Sequence, residues 1–444
     1  MSASAGSLDK HAVVIGGGLA GLSAGYDLAR LGYRVSLLEA GPEFGGLASS
    51  FILGGRMVER YYHFICRNDF DLFEMIDELG LGGQLHWCRT RTAFYSNQRL
   101  YNFGTPFDLL SFDSIPLTQR IRFGFHILWS RYLKGWEELD QIPAKAWLIR
   151  NIGLQAYNAI WHPLLKVKFG AFYDQISAAW IWHRIWRVAK SRQSLLSPEM
   201  FGYLENGSAS LCDPLVSRLR DIPGSSVQAS TRVDRIEVED GRVTGVITGA
   251  GRIPCDRVVS TVPTAVLSEL LPEHDDLYFS KVRAIQSIGV VCMLLSLDSP
   301  FSPYYWMNIN DERISYNGII EYTNLNTYLR DRGMNLVYIP YYLSTDEPRF
   351  SFSNRDLFDE YVQSLQLINP QFDSAHIMGW KVWRDPYAQA ICKTNFKELV
   401  PEIRTPIRGL YMTDSSQFYP EDRTLSAAIR SGRKAARLVR EDEA

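Results

Sequence analysis

Apolar positions along the chain gather into short runs near its start and into longer, helically spaced stretches in its middle. The run His11–Ile15 (HAVVI) precedes an Ala/Leu-rich stretch over Leu22–Leu31, and Tyr33–Leu38 (YRVSLL) then leads to Glu39. A buried strand, a helix and a second strand in that order predict a βαβ opening. Around Val227–Val262 apolar and polar residues alternate. There Asp240-Gly241 separates STRVDRIEVE from RVTGVITG and predicts a hairpin turn. GVVCMLLSL, NGIIEYTN and NLVYIPYYL, within Ile285–Tyr342, read as further strands, and a closing helix is expected over Thr424–Arg440. From Asp113 to Arg192 helical patterns dominate and carry seven of the 11 tryptophans. No internal repeat or low-complexity segment interrupts the pattern.

Composition narrows the function classes. Lys+Arg 47 against Asp+Glu 49 gives a formal charge of −2, which offers nucleic acid no overall electrostatic attraction. A hydrophobic share of 46% with 22% charged residues is that of an ordinary globular protein. The six cysteines are scattered, with no two-residue spacing and no histidine cluster beside them. Reduced thiols are therefore expected, in the cytoplasm, with neither a disulfide framework nor a metal site. The opening MSASAGSLDK is small and polar and does not read as a signal peptide, and no apolar stretch reaches the roughly 18–20 residues of a membrane span.

The glycines after the first strand carry the chemistry. Gly16-Gly17-Gly18-Leu19-Ala20-Gly21 matches G-x-G-x-x-G between a strand and a helix. Only glycine lets the backbone turn there and approach a diphosphate, and the helix N-terminus supplies free N–H groups. Glu39 follows at the end of the second strand, where a carboxylate can accept ribose hydroxyls. The spacing predicts a dinucleotide site on a Rossmann-type domain. No second such motif appears after Gly21, so a separate nicotinamide domain is not expected, and oxygen, a quinone or another acceptor would take the electrons.

The stretch from Val13 to Ser49, which continues AGPEFGGLASSF beyond Glu39, resembles the N-terminal signature of the flavin-containing amine oxidase superfamily. GLYMTDSSQFYPEDRTLSAAIRSGRKAA resembles its closing flavin motif. The protoporphyrinogen oxidase and phytoene desaturase branches are the nearest in kind, and the UDP-galactopyranose mutases more distant. The resemblance implies a noncovalent FAD. Ala40, Gly45, Gly46, Leu47 and Ala48 would join the glycine loop and Glu39 around it. Val233 would lie near the adenine, Asp414 at the ribityl or diphosphate, and Thr424 and Ala427 beneath the flavin. It further implies an α/β fold with the FAD domain assembled from 1–65, 200–275 and 395–444. An α+β substrate domain on a mixed sheet would use 66–199 and 276–394, with 113–192 as its helical insertion.

Beyond the cofactor, RMVERYYHFICRND returns to the flavin in this superfamily, which makes Tyr62 and His63 candidates for proton transfer or polar contact. Glu321, an acid among aromatics and apolar residues, is either a structural carboxylate or a tuned acid/base. Tyr341, Trp383 and Tyr387 are candidate substrate-lining residues, and Arg184, Arg187 or Arg384 could recognise phosphate or carboxylate. Amine oxidases carry a lysine on the strand that here reads GVVCMLLSL. This chain has none between Lys281 and Lys381, and the matching position falls near Cys292. Oxidation or desaturation of an apolar or lipid-linked substrate, by hydride transfer to flavin N5, is the leading expectation. A mutase acting on a nucleotide sugar and a noncatalytic flavin-binding prenyl carrier or escort are the alternatives. The interleaved Trp and Lys/Arg of WSRYLKGW, KAWLIRN and AAWIWHRIWRVAKSR suit either the wall of an apolar tunnel or peripheral membrane contact.

Overall fold

The computed structural model describes residues 10–191, 199–272 and 276–443. The polar segment 1–9 and Arg192, the expected end of the helical insertion, lie outside the described residues. Five parallel strands form the first sheet: β1 (His11–Ile15), β2 (Arg34–Leu38), β3 (Ser226–Gln228), β4 (Arg257–Ser260) and β5 (Leu410–Met412). Their order across the sheet is β5-β4-β1-β2-β3, so β1 occupies the centre and is buried along its whole length. Central parallel strands covered on both faces read as unbroken apolar runs, which is why HAVVI is recognisable.

The first helix spans Leu19–Arg30 and begins three residues earlier than its apolar spacing suggests, directly on the glycines. Packing explains two of them. A Cβ on Gly21 would stand 1.9 Å from the Gly16 carbonyl oxygen, so only glycine lets the helix sit this close to the turn. Gly16 itself has φ +102°, in the left-handed region where side chains are strained.

The closing helix, Leu425–Glu441, is capped by Thr424, whose hydroxyl accepts from the Ala427 N–H at 2.9 Å. Its small face lies against the first helix. A Cβ on Gly432 would come within 2.1 Å of the Ala20 carbonyl oxygen, and Ala435 and Ala436 are fully buried beside it. Residues from opposite ends of the chain thus make one helix pair.

The second sheet has seven strands in the order Ile377–Ala390, Ser287–Leu297, Asn335–Leu343, Gly318–Glu321, Trp306–Asn310, Thr92–Ser96 and Arg99–Asn102. All neighbours are antiparallel except Trp306–Asn310 with Thr92–Ser96, so the sheet is mixed. The expected strand NGIIEYTN stops at Glu321 because Tyr322–Asn324 turn into a 3-10 helix. The hairpin forms as read: Val233–Glu239 and Arg242–Thr248 pair antiparallel, with Asp240 at φ 49° and Gly241 at φ 69° in the turn.

Helices fill the stretch between the two halves of the mixed sheet. Ala178–Ser191 is largely buried, with Trp180 and Trp182 at 2% and 6% exposure, so its tryptophans face protein. The exposed apolar row lies instead on Leu117–Ser130, where Leu117, Ile121, Phe125 and Trp129 recur every four residues along one face. No helix among the described residues is long and apolar enough to cross a membrane.

Candidate active site

One continuous cavity of about 530 Å³ reaches from the glycine loop of the parallel sheet to the aromatic face of the mixed sheet. Its nucleotide end is built on bare backbone. Gly18 caps the first helix without a side chain, leaving the opening amides uncapped, and a Cβ there would meet nothing nearer than the Gly45 carbonyl oxygen at 3.9 Å. The loop Gly45–Ala48 lies alongside, held by the Gly45 N–H on the Gly17 carbonyl at 2.8 Å. Two glycine-lined walls and a helix N-terminus form a cradle that fits a diphosphate. Glu39 closes this end. Its carboxylate accepts from the Gly17 and Gly41 N–H groups, each at 2.7 Å, which fixes it at the tip of β2.

Of the expected cofactor residues, Gly16, Gly18, Leu19, Ala20, Glu39, Gly45, Gly46, Leu47, Ala48, Asp414 and Thr424 all line the cavity. Four do not. Gly21 seats the helix on the turn, Ala40 lies outside the lining, and Val233 packs in the core with Val13 and Leu38. Ala427 is fully buried on the far side of its helix, and its neighbour Ala428 faces the cavity in its place. Asp414 caps the turn after β5, accepting from Ser416 N–H at 2.9 Å and Thr264 N–H at 3.1 Å. Burial raises its pKa.

Tyr62 and His63 line the cavity beyond the cofactor cradle. His63 Nδ1 lies 2.9 Å from Glu59 Oε1. A carboxylate is an acceptor, so Nδ1 carries the donated proton and Nε2 remains as the ring's other polar atom. Glu59 is 1% exposed and is itself held by the Ser208 N–H at 3.1 Å and the Tyr322 hydroxyl at 2.5 Å, while the Tyr338 hydroxyl donates to its backbone carbonyl at 2.5 Å. Burial drives the Tyr322 and Tyr338 pKa values well upward, with Glu59 adding to it, so both phenols stay protonated donors. This buried acid was not singled out from sequence. The signal was its place four residues before His63, at the end of the strand Arg56–Glu59.

Glu321 lies outside the cavity lining. It accepts from the Phe301 N–H at 2.9 Å, the Ser302 N–H at 2.7 Å and the Ser302 hydroxyl at 2.8 Å, which makes it the anchor of a loop. Burial pushes its pKa up to about 7 against those three bonds, which lower it. The folded protein therefore keeps a proton that the unfolded chain gives up. Stability from this group is full below the unfolded value of 4.5 and falls as pH rises to about 7. Glu321→Gln is expected to remove a loss of roughly 3 kcal/mol between those limits. Urea denaturation across the interval checks it, and an unchanged slope in the variant would assign the effect to another group.

Strand alternation sorts the aromatics. Tyr342 and Tyr387 line the cavity, whereas Tyr341 packs on the opposite face of the sheet and Trp383 sits 4.8 Å from the Phe51 ring, off the lining. Arg384 is spent on the carbonyls of Phe350 and Phe352, and Arg187 pairs with Asp69 at 2.9 Å. Residues not expected from sequence complete the far wall: Trp161, Lys168, Trp306, Asn308, Asp422 and Arg423. Cys292, on the strand Ser287–Leu297, is fully buried, and burial raises its thiol pKa.

Comparison with known proteins agrees with this arrangement. The family model described as flavin containing amine oxidoreductase matches residues 19–440. A 15-cis-phytoene desaturase of an Oncidium hybrid cultivar is 23% identical, over 97% of this chain and 78% of its own. Among solved structures, a putative protoporphyrinogen oxidase from Exiguobacterium superposes with a TM-score of 0.76 at 18% identity, covering 98% of this chain and 100% of the other. Cyclohexylamine oxidase from Brevibacterium oxydans gives 0.75 at 15% identity, covering 98% and 99%. With its glycine cradle, uncapped helix and family match in agreement, the chain belongs to the flavin containing amine oxidoreductase family and is an FAD-dependent oxidoreductase enzyme.

Proposed function

We propose that the protein oxidises or desaturates a hydrophobic substrate, of isoprenoid, tetrapyrrole or lipid-linked kind, bound between the cofactor cradle and the aromatic wall. The carrying observation is that one cavity joins the glycine loop to Tyr62, Trp161, Trp180, Trp306 and Tyr342, so an aromatic wall faces the chamber beyond the cofactor cradle. When bound, FAD supplies the two-electron acceptor, and the protein supplies position and exclusion of water. His63, oriented by Glu59, holds a proton-accepting atom at Nε2, and Tyr62 packs edge-on against Trp306 with ring centroids 5.3 Å apart. The absence of a lysine on the Ser287–Leu297 strand removes the polar group that amine oxidases would use there.

This reading places the cofactor domain in 1–65, 200–275 and 395–444 and the substrate domain in 66–199 and 276–394. All five parallel strands fall in the first set and all seven of the mixed sheet in the second, which supports the division. The exposed row Leu117, Ile121, Phe125 and Trp129 supports peripheral contact with lipid, and loss of vesicle co-sedimentation in Phe125→Glu checks it.

Anaerobic mixing of the FAD-loaded protein with polyprenoids or tetrapyrroles tests the oxidation. Bleaching of the oxidised flavin is the expected result. Turnover of a nucleotide sugar by dithionite-reduced protein alone would establish the mutase alternative instead, and neither response would leave a carrier.

A further inference from the structure

Three basic side chains converge on one wall of the cavity. Lys168 comes from the helix His162–Phe169, Arg184 from Ala178–Ser191, and Arg423 immediately precedes the cap of the closing helix. Two aromatic rings tie them together. Lys168 Nζ stands 4.8 Å from the Trp180 ring and 4.6 Å from the Tyr342 ring, Arg184 lies 4.9 Å from Trp180, and Arg423 lies 5.6 Å from Tyr342 and donates to its hydroxyl at 3.0 Å.

The countercharge is smaller. Asp422 pairs with Arg184, and among the described residues Lys168 has no carboxylate within ion-pair distance. Asp385, the other acid on this part of the lining, accepts from the Tyr387 N–H at 2.8 Å, and burial raises its pKa toward the neutral acid. Although burial works to raise it, the Arg184, Lys168 and Arg423 charges hold Asp422 well below the usual carboxylate range. Burial, with Arg184 and Arg423 nearby, holds the Lys168 ammonium well below its ordinary value. Three basic side chains thus share one paired carboxylate, and an anion arriving beside Lys168 would favour its ammonium form.

Three basic side chains served by one paired carboxylate suit a ligand rich in anionic oxygen.

We propose that Lys168, Arg184 and Arg423 form a recognition site for an anionic head group, carboxylate or phosphate, on the otherwise apolar substrate. The site rests on the reading of this cavity as the substrate chamber. Trp180 and Tyr342 carry the cations on their faces, so the same rings that pack the apolar body also position the charge that selects the head. Lys168 is the discriminating member, because among the described residues it has no carboxylate partner to give up when the ligand arrives.

The test uses the FAD-loaded protein and matched ten-carbon probes: decanoate, decyl phosphate and decanol, with binding read by calorimetry and by perturbation of the flavin absorption. At least one anion is expected to bind ~10-fold or more tightly than decanol, the size of one charge-assisted hydrogen bond. Decanoate against decyl phosphate separates the two head groups. Lys168→Met should abolish the preference while leaving decanol binding intact, and Lys168→Arg should keep it. Equal binding of decanol, failure of both anions to bind, or an undiminished preference in Lys168→Met would each overturn the proposal. Loss of FAD from Lys168→Met with the preference unchanged would assign the lysine to the cofactor and overturn it as well. A protein that shows the anion preference yet is never bleached by any hydrophobic substrate would retain the site and lose the oxidation reading.

Discussion

Gly21→Val is expected to yield a colourless protein. The added side chain has no place to go, because even its Cβ would fall 1.9 Å from the Gly16 carbonyl oxygen, which is main chain and cannot swing aside. The helix has to lift off the turn. Its opening amides then leave the position from which they face the cavity, and the closing helix, which rests on Ala20 through Gly432, loses its seat as well. Loss of that anchorage is expected to weaken FAD retention by ~100-fold or more, on the scale of several charge-assisted hydrogen bonds. The ratio of flavin to protein absorption after gel filtration measures it. A yellow Gly21→Val protein with full flavin content would remove the glycine loop from the cofactor site.

His63→Ala should retain its flavin and lose turnover by ~100-fold or more if Nε2 takes or gives a proton in the reaction. The substitution leaves Glu59 with the Ser208 N–H and the Tyr322 hydroxyl, so the buried acid keeps two of its partners and the fold is expected to hold. An unchanged rate in a folded, FAD-loaded variant takes the histidine out of the chemistry. Glu59→Gln separates orientation from proton transfer. It preserves the shape of the buried site while withdrawing the charge that fixes the ring tautomer, so its effect on rate should be smaller than that of His63→Ala.

The parts of the site made from contiguous sequence were legible, and those made by the meeting of distant segments were not. The glycine loop, Glu39 and the Gly45–Ala48 turn all belong to one βαβ unit, where local spacing dictates geometry. Lys168, Asp422 and Arg423 come together only because the helical segment meets the loop that precedes the closing helix, and nothing in LLKVKFG or PEDRT announces the other. Errors of face were errors of one residue. Tyr341 and Tyr342 sit on opposite sides of a strand, and Ala427 and Ala428 point in different directions from one helix, so a correct element still misassigned its lining. Glu321 looked like a catalytic acid for a physical reason, since burial does shift it toward neutral pH, but its oxygens are committed to the Phe301–Ser302 loop.

The helix pair that joins opposite ends of the chain constrains when the protein can mature. β5 at the sheet edge and the helix laid on the first βα unit both come from residues 410–441. A ribosome working from the N-terminus releases the glycine loop well before these partners. Completion of the flavin cradle therefore waits for residues 410–441, and until they emerge the half-built sheet keeps an open edge and the first helix lacks its partner.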